Sequence, residues 1–239
     1  MKKTRQEVDY IKYVNSICSK AFTKVEEILK DSIIVDGFII YKGNRLTSEF
    51  LKLHIKYICL KNNVIDKGTI VACGSQALEP HYRGYGDLLA NELIVIDIFP
   101  KDKNTGYYGD MSRTYLKGTA TIDQEKIVDA VRMAQILAIS HVKDGVDGKY
   151  IHQLVVDYFD KLGYKDAFIH GTGHGIGKEV HEGIKINSKG DILKKGYTIT
   201  IEPGLYLKDI GCCRIEDVFY ITDDGVELLS EHGYKWEIR

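Results

Sequence analysis

Two stretches of this sequence embed a carboxylate in an apolar strand and follow it, at nearly equal spacing, with a second. The first is Ile94-Val95-Ile96-Asp97-Ile98-Phe99, with Asp110 beyond a polar, Gly-containing loop over 100–109. The second is Thr198-Ile199-Thr200-Ile201-Glu202, with Glu216 beyond another Gly-containing loop. A charge buried without a partner is costly, so a single such acid reads as an ion pair to a neighbour such as Arg113 or Arg214. Four acids on two matched hairpins read differently, because carboxylates sharing a site raise one another's pKa unless strong positive charge lies among them. A fold that brings both hairpins to one cation-holding site accounts for all four.

The elements around the hairpins recur in the same order. Thr4-Arg5-Gln6-Glu7 is a capping box, and Val8, Ile11, Val14, Cys18, Ala21, Val25 and Ile28 then follow at steps of three and four. A second helix is expected from Thr47 or Ser48, followed by strands over 69–73, 92–99 and 111–116. Thr121-Ile122-Asp123-Gln124 is another capping box, opening a helix to about Val142. A helix over about 149–162 and strands over 197–202 and 214–222 complete the second half. Each half thus reads helix, helix, long-looped hairpin, with no residue-level identity between them. At 239 residues, with no linker-like stretch, the expectation is one domain of two pseudo-symmetric halves, about 1–118 and 119–239.

Composition narrows the function. Lys plus Arg (33) nearly cancels Asp plus Glu (34), so no global field recruits nucleic acid or an anionic membrane. Five cysteines with no Cys-x-x-Cys spacing read as small buried residues in a reducing compartment. No run of 18 apolar residues and no signal-like start is present, which makes a cytoplasmic location the expectation.

The positive charge that the carboxylates need is supplied by a pair of divalent metals, with one neutral imidazole completing the set. His174 is the candidate, in His170-Gly171-Thr172-Gly173-His174-Gly175-Ile176-Gly177, where flanking glycines let backbone approach closely. No P-loop Lys-Ser/Thr follows, so a phosphate cradle is the weaker reading. Oxygen-rich ligation with an imidazole suits Mn, Co, Fe or Zn.

At these residues the sequence resembles the pita-bread metallopeptidases, which comprise methionine aminopeptidases, Xaa-Pro aminopeptidases, prolidases and their relatives. The resemblance covers nearly the whole chain. It rests on Asp97 with Asp110-Met111-Ser112-Arg113-Thr114, His170–Gly177 continuing to His181-Glu182, Ile201-Glu202-Pro203-Gly204, and Arg214-Ile215-Glu216-Asp217. It implies an α/β (α+β) pita-bread fold, a curved antiparallel sheet with helices outside and internal pseudo-two-fold symmetry. It implies five metal ligands, Asp97, Asp110, His174, Glu202 and Glu216, holding two divalent ions, manganese first and cobalt, zinc or iron otherwise. By the same resemblance His81 contacts substrate and shuttles protons, His181 stabilises the developing oxyanion, and His170 lines the substrate pocket. Glu202 would also accept the proton of the attacking water and pass it to the leaving nitrogen. Arg214, on the strand face of Glu216, would orient that carboxylate or meet a substrate carboxylate.

The implied activity is hydrolysis of the N-terminal peptide bond by metal-activated hydroxide. Glu202-Pro203-Gly204 and Arg214-Ile215-Glu216-Asp217 point to the Xaa-Pro branch, as an aminopeptidase or a dipeptidase, with a peptide substrate and a homodimer as the candidate assembly. Two departures stand out: Phe99 lies where the family commonly has Gly, and the Asp97-to-Asp110 gap is about two residues longer than usual. Proline-directed relatives also carry an N-terminal domain, whereas this chain opens on what reads as the first catalytic-domain helix. The rival readings are a methionine aminopeptidase, a metal-free creatinase-like enzyme, and a peptide- or protein-binding module on the same scaffold.

Overall fold

The computed structural model describes residues 2–239. The first half runs α1 (Arg5–Lys30), β1 (Ile33–Val35), β2 (Phe38–Tyr41), β3 (Asn44–Arg45), α2 (Ser48–Lys61), β4 (Val64–Ile65), β5 (Ile70–Cys73), β6 (Ile94–Ile98), β7 (Lys101–Asp102) and β8 (Met111–Lys117). The second half opens with α3 (Ile122–His141), α4 (Gly148–Lys161), β9 (Gly173–His174), β10 (Lys185–Ile186) and β11 (Thr198–Ile201). It closes with β12 (Gly204–Leu207), β13 (Gly211–Arg214), β14 (Asp217–Ile221), β15 (Val226–Leu228) and β16 (Glu237–Ile238).

Both capping boxes form. The Glu7 amide donates to Thr4 Oγ1 while the Thr4 amide donates to Glu7, and Thr121 and Gln124 repeat the arrangement on α3. The apolar stripe of α1 is buried along its length: from Val14 onward it packs against α2 and one face of the sheet, while Val8 and Ile11 pack with Tyr107, Tyr108 and Ile176.

Side-chain alternation decides which face carries chemistry. On β6, Ile94, Ile96 and Ile98 join the core made with α1 and α2, while Val95 belongs to a separate cluster on the opposite face, which Asp97 shares by register. On β11, Ile199 and Ile201 pack in the core made with α3 and α4. Thr198, Thr200 and, one step beyond the strand, Glu202 therefore point the other way. The helices lie behind the strands in both halves, and both acid-bearing faces are left for the site.

The strands form a four-stranded sheet, β16-β8-β6-β5, and a three-stranded sheet, β11-β14-β15. They meet at one bridge, Ser112 to Glu216, where the Glu216 amide donates to Ser112 O at 3.1 Å. Arg113 fastens this junction. Its guanidinium donates to Ser112 O, Glu216 O, His232 O, Gly233 O and Asp217 Oδ1. The Asp217 carboxylate, fully buried, also accepts from Ser230, Gln135 and Tyr234. All five guanidinium N–H groups thus have acceptors, which makes a buried ion pair tolerable.

Four details differ from the sequence expectation. The strand expected over 214–222 is interrupted: β13 pairs with β12, β14 pairs with β11, and Glu216 occupies the break between them. A chain changing partner there releases Glu216 from both ladders and lets it bridge to the other half. The sheet is not purely antiparallel, since β16 runs parallel to β8. The loop over 100–109 contains β7, which pairs with β4, and the β1–β3 hairpin was not foreseen. All five cysteines are free and buried.

Replacing Arg113 with Met leaves the buried Asp217 carboxylate without its cationic partner. The expected loss is about 3–5 kcal/mol of stability in urea unfolding; a loss below about 1 kcal/mol would contradict this role for Arg113.

Candidate metal centre

The acid-bearing faces border one cavity of about 480 Å³. Asp97, Asp110, His170, His174, Glu202, Arg214 and Glu216 line it, as do His81 and His181. Ligand atoms of Asp110, His174 and Glu216 all lie within 4.8 Å of one another. Glu202 Oε1 is 3.4 Å from His174 Nε2, and Asp110 Oδ2 is 3.8 Å from the same nitrogen. Asp97 reaches the cavity from β6 with Oδ2 3.0 Å from Arg214 Nη2, while its other oxygen, Oδ1, is buried with no hydrogen-bond partner.

Local structure explains how each group arrives. Asp110 follows the long loop, and its amide donates to Asn15 Oδ1 at 3.0 Å, a buried amide of α1. The His174 amide donates to Thr200 Oγ1 at 3.1 Å. Glycine is required on both sides of this histidine: a Cβ at Gly173 would meet Thr200 O at 2.0 Å, and one at Gly175 would meet Glu182 O at 2.0 Å. The Glu202 amide donates to Thr172 O at 2.8 Å, which ties the second acid to the histidine segment.

Arg214 is the fixed cation of the cavity wall. Its Nε donates to Ser112 Oγ at 3.1 Å, and Ser112 in turn donates to Glu216 Oε2 at 2.9 Å. Its Nη1 donates to Tyr206 Oη and Pro80 O, and its Nη2 to Asp97. One guanidinium therefore orients an acid from each hairpin, one directly and one through a serine.

Tautomers follow from the acceptors. His174 Nδ1 lies 3.1 Å from Gly175 O, and a carbonyl only accepts, so Nδ1 carries the proton and Nε2 presents a lone pair. His170 is set the same way by Gly171 O, and its Nε2 accepts from Tyr206 Oη. Burial, followed by the neighbouring His181, lowers the His174 pKa to about 3; burial and Arg214 lower that of His170 to about 3. Both rings are neutral at physiological pH.

The acids are displaced in the opposite sense. Burial first, then Asp97 and Glu202, pushes Asp110 well above the carboxylate range. Burial and then Asp110 do the same to Glu216, and burial raises Glu202 to about 8 even though Arg214 opposes it. Burial disfavours the charge on Arg214, but Tyr206, Asp97 and Glu202 outweigh it and hold Arg214 well above its usual value. A lone-pair nitrogen facing carboxylate oxygens, acids held away from ionisation, and an orphaned oxygen on Asp97 all lack the same thing. Oxygen-rich donors plus one neutral imidazole fit divalent cations of the Mn, Co, Fe or Zn type.

The histidines are placed less uniformly. The His181 ring lies 4.0 Å from that of His174, centroid to centroid, with its outer side open. His81 sits at the rim with its side chain 84% exposed. Both nitrogens of His170 are engaged, which leaves its ring face for the cavity. Tyr206, Ser112 and Asn15 were not singled out from the sequence. Asn15 was detectable as the one amide inside the apolar stripe of α1, and Ser112 sat within a motif from which only Asp110 was taken.

Comparison with known proteins agrees with this geometry. The family described as metallopeptidase family M24 matches residues 9–223. An uncharacterized peptidase from Methanocaldococcus jannaschii is 34% identical over 238 residues, covering 97% of this chain and 64% of the relative. An Xaa-Pro dipeptidase from Pyrococcus furiosus is 32% identical over 235 residues, covering 96% and 63%. The solved Xaa-Pro dipeptidase from Bacillus anthracis superposes with a TM-score of 0.88 at 26% identity, covering 100% of this chain and 64% of that one. The chain thus spans just under two thirds of the length of these proteins.

The displaced acids predict a pH dependence. Unfolded histidines titrate near pH ~6.5, so only above about pH 7.5 are the histidines neutral whether folded or unfolded. Folded Glu202 keeps its proton to about pH 8, whereas an unfolded glutamate releases it near pH ~4.3. From about pH 7.5 to 8 the folded, metal-free chain therefore holds more protons, and its stability falls as pH rises. A divalent cation bound by these acids would displace those protons, so adding Mn²⁺ at about pH 7.5 is expected to release protons and remove the slope. Urea unfolding in EDTA and potentiometric titration check both effects; a rising slope with no proton release contradicts them.

Proposed function

The chain belongs to metallopeptidase family M24, and we propose that it hydrolyses the N-terminal peptide bond of Xaa-Pro substrates using two divalent metal ions. The observation that carries this reading is the convergence of Asp110, His174 and Glu216 within 4.8 Å in a cavity that also holds Glu202 and the unpartnered oxygen of Asp97. The relatives named Xaa-Pro dipeptidase support the choice of substrate. Methionine aminopeptidase is the weaker reading, because Glu202-Pro203-Gly204 and Arg214-Ile215-Glu216-Asp217 resemble the proline-directed branch.

Asp97, Asp110, His174, Glu202 and Glu216 would hold the ions. Metal bound there would polarise the scissile carbonyl and lower the pKa of water to about 7. Glu202, poised near pH 8 without metal, is the residue to take the proton from the attacking water and return it to the leaving nitrogen. His181, its ring centroid 4.0 Å from that of His174, would donate a hydrogen bond to the oxygen that gains charge. His81 stands at the rim, where it would meet substrate on entry and serve as a proton shuttle. His170 offers its ring face to the pocket. Arg214 is engaged by Asp97, Tyr206, Pro80 and Ser112, which favours the orienting role over contact with substrate. The free, buried cysteines support a cytoplasmic placement.

Stripping with EDTA and restoring Mn²⁺, Co²⁺ or Zn²⁺ separately should recover cleavage of Ala-Pro, followed by proline release. Asp110→Asn and Glu216→Gln should lose both metal uptake and hydrolysis. Ser112→Ala, which removes one hydrogen bond to Glu216, should weaken metal affinity about 10–100-fold. Activity that no metal restores, or that survives in Asp110→Asn, contradicts the proposal and favours a binding module on this scaffold.

A further inference from the structure

Arg83 is the one arginine of the cavity wall left without an anionic partner. It lies two residues beyond His81, and among the described residues it forms no ion pair. It is nevertheless held in place. Its guanidinium carbon is 5.1 Å from the centroid of the Phe99 ring. On another side it presses on Gly68, where an added Cβ would come within 2.7 Å of Arg83 Nη1. Phe99 itself packs on the cluster of Ile70, Val95 and Tyr206, on the face of β6 that carries Asp97.

A guanidinium held over a ring, with no ion pair among the described residues and at the wall of a peptide-sized cavity, matches one ligand chemistry. Its planar donors fit the two oxygens of a carboxylate, and a side chain already stacked loses little further freedom on binding. Arg214 cannot serve in the same way, because Asp97, Tyr206, Pro80 and Ser112 occupy it. Lys185, another cation of the wall, has no ring stack and no ion pair among the described residues to fix it.

We propose that Arg83, positioned by Phe99, reads a carboxylate of the substrate. This rests on the peptidase reading of the site. Two sources present that group: the free C-terminus of a dipeptide, or the side chain of an acidic first residue. The first would make the enzyme a dipeptidase by selection, and the second would give it a preference for Asp or Glu before proline.

The test uses the metal-loaded full chain and two substrate pairs, Ala-Pro against Ala-Pro amide and Glu-Pro amide against Gln-Pro amide. Wild type is expected to favour the carboxylate-bearing member of one pair by about tenfold or more in kcat/KM, chiefly through KM. Arg83→Ala should bring that ratio to within about twofold of unity, and Phe99→Leu should lower it part of the way. Thermal unfolding of each variant checks that the fold is kept. The pair that responds identifies the source of the carboxylate. No preference in either pair overturns the proposal, as does a preference that Arg83→Ala keeps or that only Lys185→Ala removes. If wild type cleaves none of the four peptides with any metal, it is the peptidase reading that fails. Calorimetric binding of Ala-Pro and Glu-Pro amide then decides the role of Arg83: at least tenfold tighter binding of one of them to wild type than to Arg83→Ala supports it, and equal affinities overturn it.

Discussion

Four carboxylates face one cavity in this protein, and their mutual repulsion is the constraint that the rest of the architecture answers. In a desolvated site, like charges do not stay ionised without positive charge among them. The raised pKa values of Asp110, Glu202 and Glu216 express that directly. Arg214 supplies one permanent cation, too little for four acids, and it is placed at the edge of the set, between Asp97 and Ser112. What remains missing is charge at the centre, where His174 Nε2 offers a lone pair rather than a proton.

Holding such a set together needs a scaffold that does not relax. The two sheets are bridged at Ser112–Glu216, beside the acids themselves. Arg113 and Asp217 make that junction rigid by satisfying every donor of one and gathering four partners round the other. The helices stay behind the strands, so the apolar cores stabilise the fold without competing for the cavity. Structure and chemistry thus share a seam: Ser112, Arg113, Glu216 and Asp217 are neighbours in sequence pairs, one member of each pair facing the site and the other the junction.

Much of this was readable in the sequence because it is local. Capping boxes, helical periodicity and strand alternation are set by residues within a few positions, and the structure places α1, α3 and the strands bearing Asp97 and Glu202 close to where those signals put them. Glu202 and Glu216 were paired by spacing, and both line the cavity. What could not be read is partner choice at long range. Nothing local says that the chain changes partner at Glu216, that β16 returns in parallel to β8, or that Asn15 of α1 holds the Asp110 amide. The Tyr206 hydroxyl, linking Arg214 to His170, was hidden for the same reason.

Membership of metallopeptidase family M24 and the carboxylate cluster point to the same chemistry from independent directions. The most direct test is to locate the metals by anomalous scattering from crystals of the Mn²⁺-loaded protein. Two peaks per chain are expected among Asp97, Asp110, His174, Glu202 and Glu216, with Asp97 Oδ1 engaged by one of them. No peak there, or metal bound elsewhere while these residues hold none, would contradict a metal centre as the function of the cavity.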